Sequence, residues 1–126
     1  MKALLIEHLR SLGHEVADLG THSPDPVDYP DFGAAVGESV CSGETDLGVC
    51  VCGTGMGIAI AANKVHGVRA AVVHDVTTAR LAREHNNANV ICLGRASSAK
   101  PSPPTHWWCS YGASSWGVAT CAESRR

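Results

Sequence analysis

The sequence lacks any apolar run long enough to cross a bilayer, and charge interrupts residues 1–8 too early for a signal peptide. It also lacks a surplus of charge of either sign, because the formal net charge is -2 in 126 residues. A nucleic acid or a membrane is therefore not expected as a partner. We expect a cytoplasmic protein, in which one local site could still bind an anionic small molecule.

Zinc-site spacing is also missing, although the sequence contains six cysteines and seven histidines. Cys50 and Cys52 alternate within one apolar run, and Cys92 lies in another. Such positions are typical of buried strand cysteines in a reducing compartment, so neither disulfides nor a metal is predicted.

What the sequence does contain, up to residue 94, is a regular alternation of helical patterns and apolar segments. The strand-like segments are apolar on both faces, which is typical of a parallel sheet covered by helices on both sides. We predict a Rossmann-like three-layer α/β sandwich with a mostly parallel sheet. Helices are predicted over 2–12, from an Asp31 cap onwards, over 58–64 and over 77–85, and strands over 15–19, 47–52, 68–74 and 88–93.

The composition changes after residue 94. Residues 100–104 hold three prolines, and all three tryptophans lie within 107–116. No steady period of 3.6 or 2 follows, so we expect residues 95–126 to be an irregular tail attached to a core of residues 1–94.

The strongest local signal for a site is the stretch that follows Cys52. A buried strand is predicted to end there, and Gly53, Gly55 and Gly57 alternate before a helix begins. The N–H groups and the positive end of that helix would face a ligand at the carboxyl edge of the sheet. They stabilise anions and favour a thiolate, which can act as a general base. A buried cysteine beside an ordinary glycine turn fits the same spacing.

A second cluster, residues 83–90, lies where a helix ends just before a strand. His85 in this cluster could be a favourable C-terminal cap of the helix. It could equally be an acid–base residue that titrates near neutral pH.

Three strings, GHEVADLGTHSPDPVDYPDF, CGTGMGIAIAANKVHGVRAA and AREHNNANVICLG, together resemble the ribose-5-phosphate isomerase B / galactose-6-phosphate isomerase family. The resemblance covers residues 1–94. It implies a reversible isomerisation of a phosphorylated pentose, ribose 5-phosphate to ribulose 5-phosphate, through a cis-enediolate. It also implies that no metal or organic cofactor is used, and that homodimers or homotetramers complete each site across a subunit interface.

The resemblance assigns roles to individual residues of this sequence. Cys52 matches the general base that moves a proton between C1 and C2. Thr54 and His85 match residues tied to ring opening, and Asn86 matches a substrate-binding position. The backbone N–H groups that match the cradle of the developing oxyanion are those of Gly53, Thr54, Gly55, Met56 and Gly57.

Both ends of the sequence depart from the family. The family's first strand and its Gly-x-Asp-His-Ala-Gly turn, which supplies an Asp and a His to the site, would precede the equivalent of Lys2. That strand is an inner one, so we expect its neighbours to have unpaired edges or to close up. After residue 94 the expected strings Arg-Val-Ile-Gly and Gly-Gly-Arg-His-x-x-Arg-Val are absent, and with them the arginines that bind phosphate.

A shift of one base in the reading frame would permit both missing strings, from the codons of residues 95–105 and 116–124. We therefore interpret the tail as an out-of-frame translation, which the coding DNA would test. Losing two phosphate-binding arginines, each bond worth about 1.5–3 kcal/mol, would weaken substrate binding by about a hundredfold or more. Little or no isomerase turnover is expected from this chain.

Two alternative functions stay open. One is a catalytically dead remnant or binding module that keeps only the pocket at the glycine loop. The other is a redox protein that uses Cys50 and Cys52, which we disfavour because we expect their side chains on opposite faces of the strand.

Overall fold

The computed structural model describes residues 1–22 and 28–95, together with the backbone of residues 117–120. Helices and strands alternate through these ranges, and within them no helix is long and apolar enough to cross a membrane. The helices are α1 (Lys2–Ser11), α2 (Tyr29–Ser42), α3 (Met56–Asn63) and α4 (Val76–Asn86). The strands are β1 (Glu15–Asp18), β2 (Leu47–Cys52), β3 (Ala70–Val72), β4 (Val90–Gly94) and β5 (Gly117–Thr120).

The five strands form one sheet in the order β1-β5-β2-β4-β3, and each neighbouring pair is parallel. All six residues of β2 are buried, as its continuous apolar run predicts. Leu47 and Val49 pack on one face of the sheet with residues of α1 and α4, whereas Cys50 and Cys52 pack on the other with α2 and α3. The predicted three-layer α/β sandwich is confirmed.

Helices α2 and α3 begin two or three residues earlier than predicted, and α4 begins one residue earlier. The N-cap of α2 is Asp28, not Asp31, because Pro30 fits the first helical turn, where its missing N–H needs no partner. Asp31 lies inside that turn, close to the positive end of the helix dipole. Likewise α3 begins at Met56, since Gly55 adopts a left-handed conformation and lets the chain enter the helix at once.

Strand β5 differs from the sequence prediction. The irregular tail predicted for residues 95–126 is wrong at Gly117–Thr120, which lie between β1 and β2. Four residues of β5 pair with β1 and three pair with β2. The edges of β1 and β2 that face each other are therefore paired with β5, and β1 and β2 do not pair with each other. Pairing with a strand on each side overrides the weak local signal of the segment. Residues 96–116 and 121–126 lie outside the described residues, and the boundary at residue 94 stays a prediction.

Helices α2 and α3 approach each other closely through glycines of α2. A Cβ built on Gly33 would lie 3.0 Å from the carbonyl oxygen of Ile58, and one built on Gly37 would lie 2.9 Å from Cγ2 of Val68. Gly33 therefore lets α2 lie against the first turn of α3, at the carboxyl edge of the sheet, whereas Gly37 makes room for Val68 in the segment after α3.

Candidate active site

The glycine loop, residues 53–55, leaves the sheet between the carboxyl ends of β2 and β4. Cys52, the last residue of β2, is in register with Gly94, the last residue of β4. The N–H of Arg95 donates to the carbonyl oxygen of Cys52 at 2.9 Å, which ties the two strand ends together. The loop therefore starts from a fixed point, and α3 begins only four residues after Cys52.

Gly55 shapes this loop through its backbone. Its φ is +81°, and a Cβ at this position would lie 3.0 Å from the carbonyl carbon of Leu93, so a side chain is excluded on two counts. The N–H of Gly55 donates to Sγ of Cys52 at 3.1 Å. The sulfur thus faces the loop.

Cys52 is buried but not sealed, with 5% of its surface exposed. It lies in the same core cluster as Cys50 and Cys92, both of which are fully buried. The predicted burial of these three cysteines is confirmed, and all three are free thiols. The expectation that Cys50 and Cys52 lie on opposite faces is wrong, because residues two apart on a strand point to the same face.

The remaining residues of the predicted cradle surround the start of α3. The helix has no side-chain cap at its N-terminus, and the N–H of Met56 donates to Oγ1 of Thr54 at 3.3 Å. Thr54 and Met56 are exposed, and Gly53 faces open space on the side where a Cβ would stand. The start of α3 thus lies at the surface, and a helix start of this kind favours an anion or an oxyanion nearby.

His85 and Asn86 do not join this group within one chain. They end α4, which runs antiparallel to the strands and reaches the amino edge of the sheet. There the carbonyl oxygen of Asn89 accepts from the N–H of Gly48 at 2.9 Å. Gly48 precedes Cys52 by four residues, which is about 13 Å along a strand, so His85 and Cys52 lie at opposite edges.

A residue that the sequence analysis missed, Tyr29, lies at the glycine loop. It precedes the Asp31 cap predicted for the second helix, but it is the first residue of α2, and its ring contacts Gly57 in the first turn of α3. The only sequence signal for this placement is the pair Tyr29 and Pro30 after Asp28, which suits a helix start. The contact with Gly57 depends on how two helices pack, which local patterns do not reveal.

An ion pair secures the other end of this edge of the sheet. Nζ of Lys2 contacts both carboxylate oxygens of Asp18, at 3.0 and 2.9 Å, and also donates to the carbonyl oxygen of Thr21 at 2.9 Å. Burial raises the pKa of Asp18, but hydrogen bonds from Lys2 and from the N–H of Gly20, with the charges of Lys2 and His22, leave that pKa below its ordinary value.

Within the described part of the chain, no group of three or more His, Cys, Asp or Glu residues is placed to hold a metal ion. The described residues around the glycine loop offer a thiol, backbone N–H groups and a hydroxyl. A family model described as Ribose/Galactose Isomerase matches residues 1–102. The chain belongs to the ribose/galactose isomerase family.

Individual relatives of this ribose/galactose isomerase family member agree with that assignment. The chain is 55% identical over 94 residues to galactose-6-phosphate isomerase subunit LacB of Clostridium acetobutylicum, covering 75% of this chain and 54% of the relative. It is 45% identical over 94 residues to ribose-5-phosphate isomerase B of Escherichia coli, covering 75% and 63%. The resemblance stated from the sequence is confirmed.

A solved structure supports the fold of this family member. Ribose-5-phosphate isomerase B from Mycoplasma genitalium, with bound ribulose-5-phosphate, superposes with a TM-score of 0.72 at 46% identity, covering 76% of this chain and 64% of that one. The chain spans between about half and two thirds of the length of these relatives. The residues that the family model matches, 1–102, include the glycine loop, His85 and Asn86.

Proposed function

We propose that this chain carries the site of a sugar-phosphate aldose–ketose isomerase that interconverts ribose 5-phosphate and ribulose 5-phosphate. The observation that carries the proposal is the contact between Sγ of Cys52 and the N–H of Gly55, at the carboxyl edge of the sheet. A thiol held at a helix start can exist as a thiolate and can accept a proton. Membership of the ribose/galactose isomerase family supports the choice of substrate class.

In the proposed reaction, the Cys52 thiolate removes the proton from C2 of the open-chain aldose. The electron pair of that C–H bond forms the C1–C2 double bond of a cis-enediolate, while the carbonyl oxygen on C1 gains negative charge. The N–H groups of residues 53–57 stabilise this charge. The thiol then returns the proton to C1, and a hydroxyl proton moves from O2 to O1, which leaves a ketone at C2.

A second copy of the chain supplies the remaining residues in this proposal. His85 and Asn86 are exposed at the amino edge, about 13 Å from Cys52 along the strand direction. Within one chain they cannot contact a sugar that Cys52 deprotonates. In a homodimer or homotetramer, His85 of one copy can approach Thr54 of another and assist ring opening, while Asn86 contacts the substrate.

The alternative function is a remnant that binds the sugar phosphate without turning it over. The observation in its favour is that the family's arginine-containing strings are absent after residue 94. Phosphate contacts far from the reacting carbons help to hold those carbons in place, so their loss lowers turnover as well as affinity. We therefore expect substrate affinity about a hundredfold or more below that of relatives that carry these strings, with little or no turnover.

Calorimetry and a coupled assay of the full chain with ribose 5-phosphate test both functions. Heat of binding with slow turnover supports the isomerase, binding alone supports the remnant, and no binding contradicts both. The Cys52→Ala variant should lose at least about a hundredfold in kcat, whereas Cys50→Ala, two residues away on the same face, should keep kcat within about threefold. Equal turnover in the two variants would remove Cys52 from the chemistry.

A further inference from the structure

The turn that follows α4 holds an unusual backbone conformation. Asn87 comes directly after Asn86, the last residue of the helix, and has φ 49° and ψ 40°. Among the described residues it is the one residue other than glycine with a positive φ. Asparagine tolerates this left-handed region better than most residues, but glycine adopts it at no steric cost. The chain therefore keeps a side chain where glycine would be the easier choice.

Arg69 holds this turn from outside the helix. Its Nε donates to the carbonyl oxygen of Asn87 at 2.7 Å, and its Nη1 donates to the carbonyl oxygen of Gly67 at 3.0 Å. Asn89 adds two bonds, because its side-chain oxygen accepts from the N–H of Arg69 at 2.7 Å and its Nδ2 donates to the carbonyl oxygen of Gly67 at 3.0 Å. The end of α4 is thus tied to the segment that precedes β3.

Arg83 holds the same turn from within α4. Its Nη1 contacts the side-chain oxygen of Asn87 and donates to the carbonyl oxygen of Ala88 at 3.3 Å. The side chain that glycine would lack is therefore the one that Arg83 contacts, while Arg69 contacts the carbonyl group of the same residue. Arg69, Arg83 and Asn87 together form a clasp at the end of α4.

His85 and Asn86 have no comparable side-chain support of their own. Both are exposed, and within residues 1–22 and 28–95 neither side chain makes a hydrogen bond or an ion pair. The direction in which these side chains leave the helix is therefore set by the backbone at the end of α4. The clasp fixes that backbone, since Asn87 is the next residue along the chain.

We propose that Arg69 is a positioning residue for the sugar-phosphate site of a second copy: it holds Asn87 in the left-handed turn and thereby fixes the direction of His85 and Asn86. The inference rests on the proposed function, in which these two side chains reach the site of another copy. A displacement of about 1 Å in a group that positions the substrate can cost about a hundredfold in rate. A rigid clasp can therefore affect a site that it does not touch.

A purely structural role for Arg69 makes a different prediction. If the clasp only stabilises the turn, Arg69→Ala weakens ligand binding by the same factor whether or not Asn86 has its side chain. If Arg69 acts through Asn86, its removal has no further effect once that side chain is gone. Arg80 offers a matched control, because it is an exposed arginine of α4 whose Nη1 contacts Glu84 at 2.7 Å.

The test is a double-mutant cycle on the full chain, with the affinity for ribose 5-phosphate measured by NMR titration, which follows weak binding. Arg69→Ala should bind about tenfold more weakly than the unaltered chain, and Arg80→Ala should bind within about twofold of it. In the Asn86→Ala background, Arg69→Ala should add a loss of less than about twofold. A further loss of about tenfold in that background, or no loss from Arg69→Ala alone, overturns the inference and leaves the proposed function standing.

Two further outcomes are decisive. If Arg69→Ala does not fold, Arg69→Lys carries the same cycle, because lysine keeps the charge but lacks the planar fork that reaches two carbonyl groups. Arg69→Lys alone should lose about threefold in affinity, and a loss of the same size in the Asn86→Ala background contradicts the inference. If the unaltered chain does not bind ribose 5-phosphate, the proposed function fails and the role of Arg69 fails with it.

Discussion

The α-carbon of Gly94 lies so close to the backbone of Thr54 that a Cβ built on Gly94 would stand 2.6 Å from the Thr54 carbonyl oxygen. The Thr54 atoms at this contact all belong to the backbone, so no flexible side chain can move aside. The end of β4 therefore serves as the surface on which the glycine loop rests. The positions of the loop N–H groups depend on the absence of a side chain at residue 94.

Gly94→Ala should displace the loop and weaken both stability and ligand binding. We expect a loss of about 2–4 kcal/mol in the free energy of unfolding, because the methyl group overpacks against backbone atoms. Urea unfolding and calorimetry with ribose 5-phosphate measure the two effects. Gly43→Ala is the control, since its φ is +81° but nothing lies within 4 Å of the added methyl. It should cost about 1 kcal/mol and leave binding unchanged.

Mixing two inactive variants should restore activity if sites form between copies. Cys52→Ala and His85→Ala each damage every site of a homo-oligomer. A mixed dimer, however, holds one site with both residues intact and one site with neither. After random exchange of subunits we expect up to about one quarter of the unaltered chain's turnover. A mixture as inactive as its components would place both residues in one chain's site or exclude one from the reaction.

Asp18 should make the stability of the chain sensitive to acid. Its pKa is lowered in the folded state below the ordinary value of 3.8, so the folded chain binds the proton less readily than the unfolded chain. The stabilisation is complete well above that value and is lost as the pH falls through the folded-state pKa. Asp18→Asn should lower the free energy of unfolding by about 1 to 2 kcal/mol at pH 7 and by less near pH 3. Urea unfolding between pH 3 and pH 7 measures this; a constant difference would contradict it.

The backbone of Ala119 should matter more than its place in an irregular sequence suggests. This residue pairs with Ala17 of β1 and with Gly48 of β2. Ala119→Pro removes an N–H and should cost about 3 kcal/mol or more. Hydrogen exchange measured by mass spectrometry should show faster exchange throughout β1. Amides of β3, which pairs only with β4, are the internal control. Their exchange should change less than that of the β1 amides.

The sequence predicts the centre of the sheet and the glycine loop well because their signals are local. The run 47–52 is apolar without a break, and Gly53, Gly55 and Gly57 follow it at once. Position 55 then requires glycine for its φ, as the alternation suggests. A parallel sheet also predicts that His85 lies away from Cys52, because a helix that precedes a parallel strand ends at the amino edge of the sheet.

The remaining features depend on contacts between distant segments. Val118 and Thr120 suit a strand, but four residues without a steady period do not predict one, and the segment becomes a strand by pairing with β1 and β2. The contact of Tyr29 with Gly57 requires the close approach of two helices. Small residues permit such an approach, but their presence in the sequence does not predict it. The cap of α2 was misplaced by three residues, since both Asp28 and Asp31 are chemically suited to a helix start.

Strand β5 also constrains the order in which the chain can fold. Glu15 and Gly117 are partners although they lie about 100 residues apart, so β1 gains a neighbouring strand only after nearly all of the chain has left the ribosome. Until then the helices and strands from α2 to β4 can assemble, while β1 has no strand to pair with. Nascent chains halted before residue 117 should therefore be open to proteases at β1 and compact elsewhere.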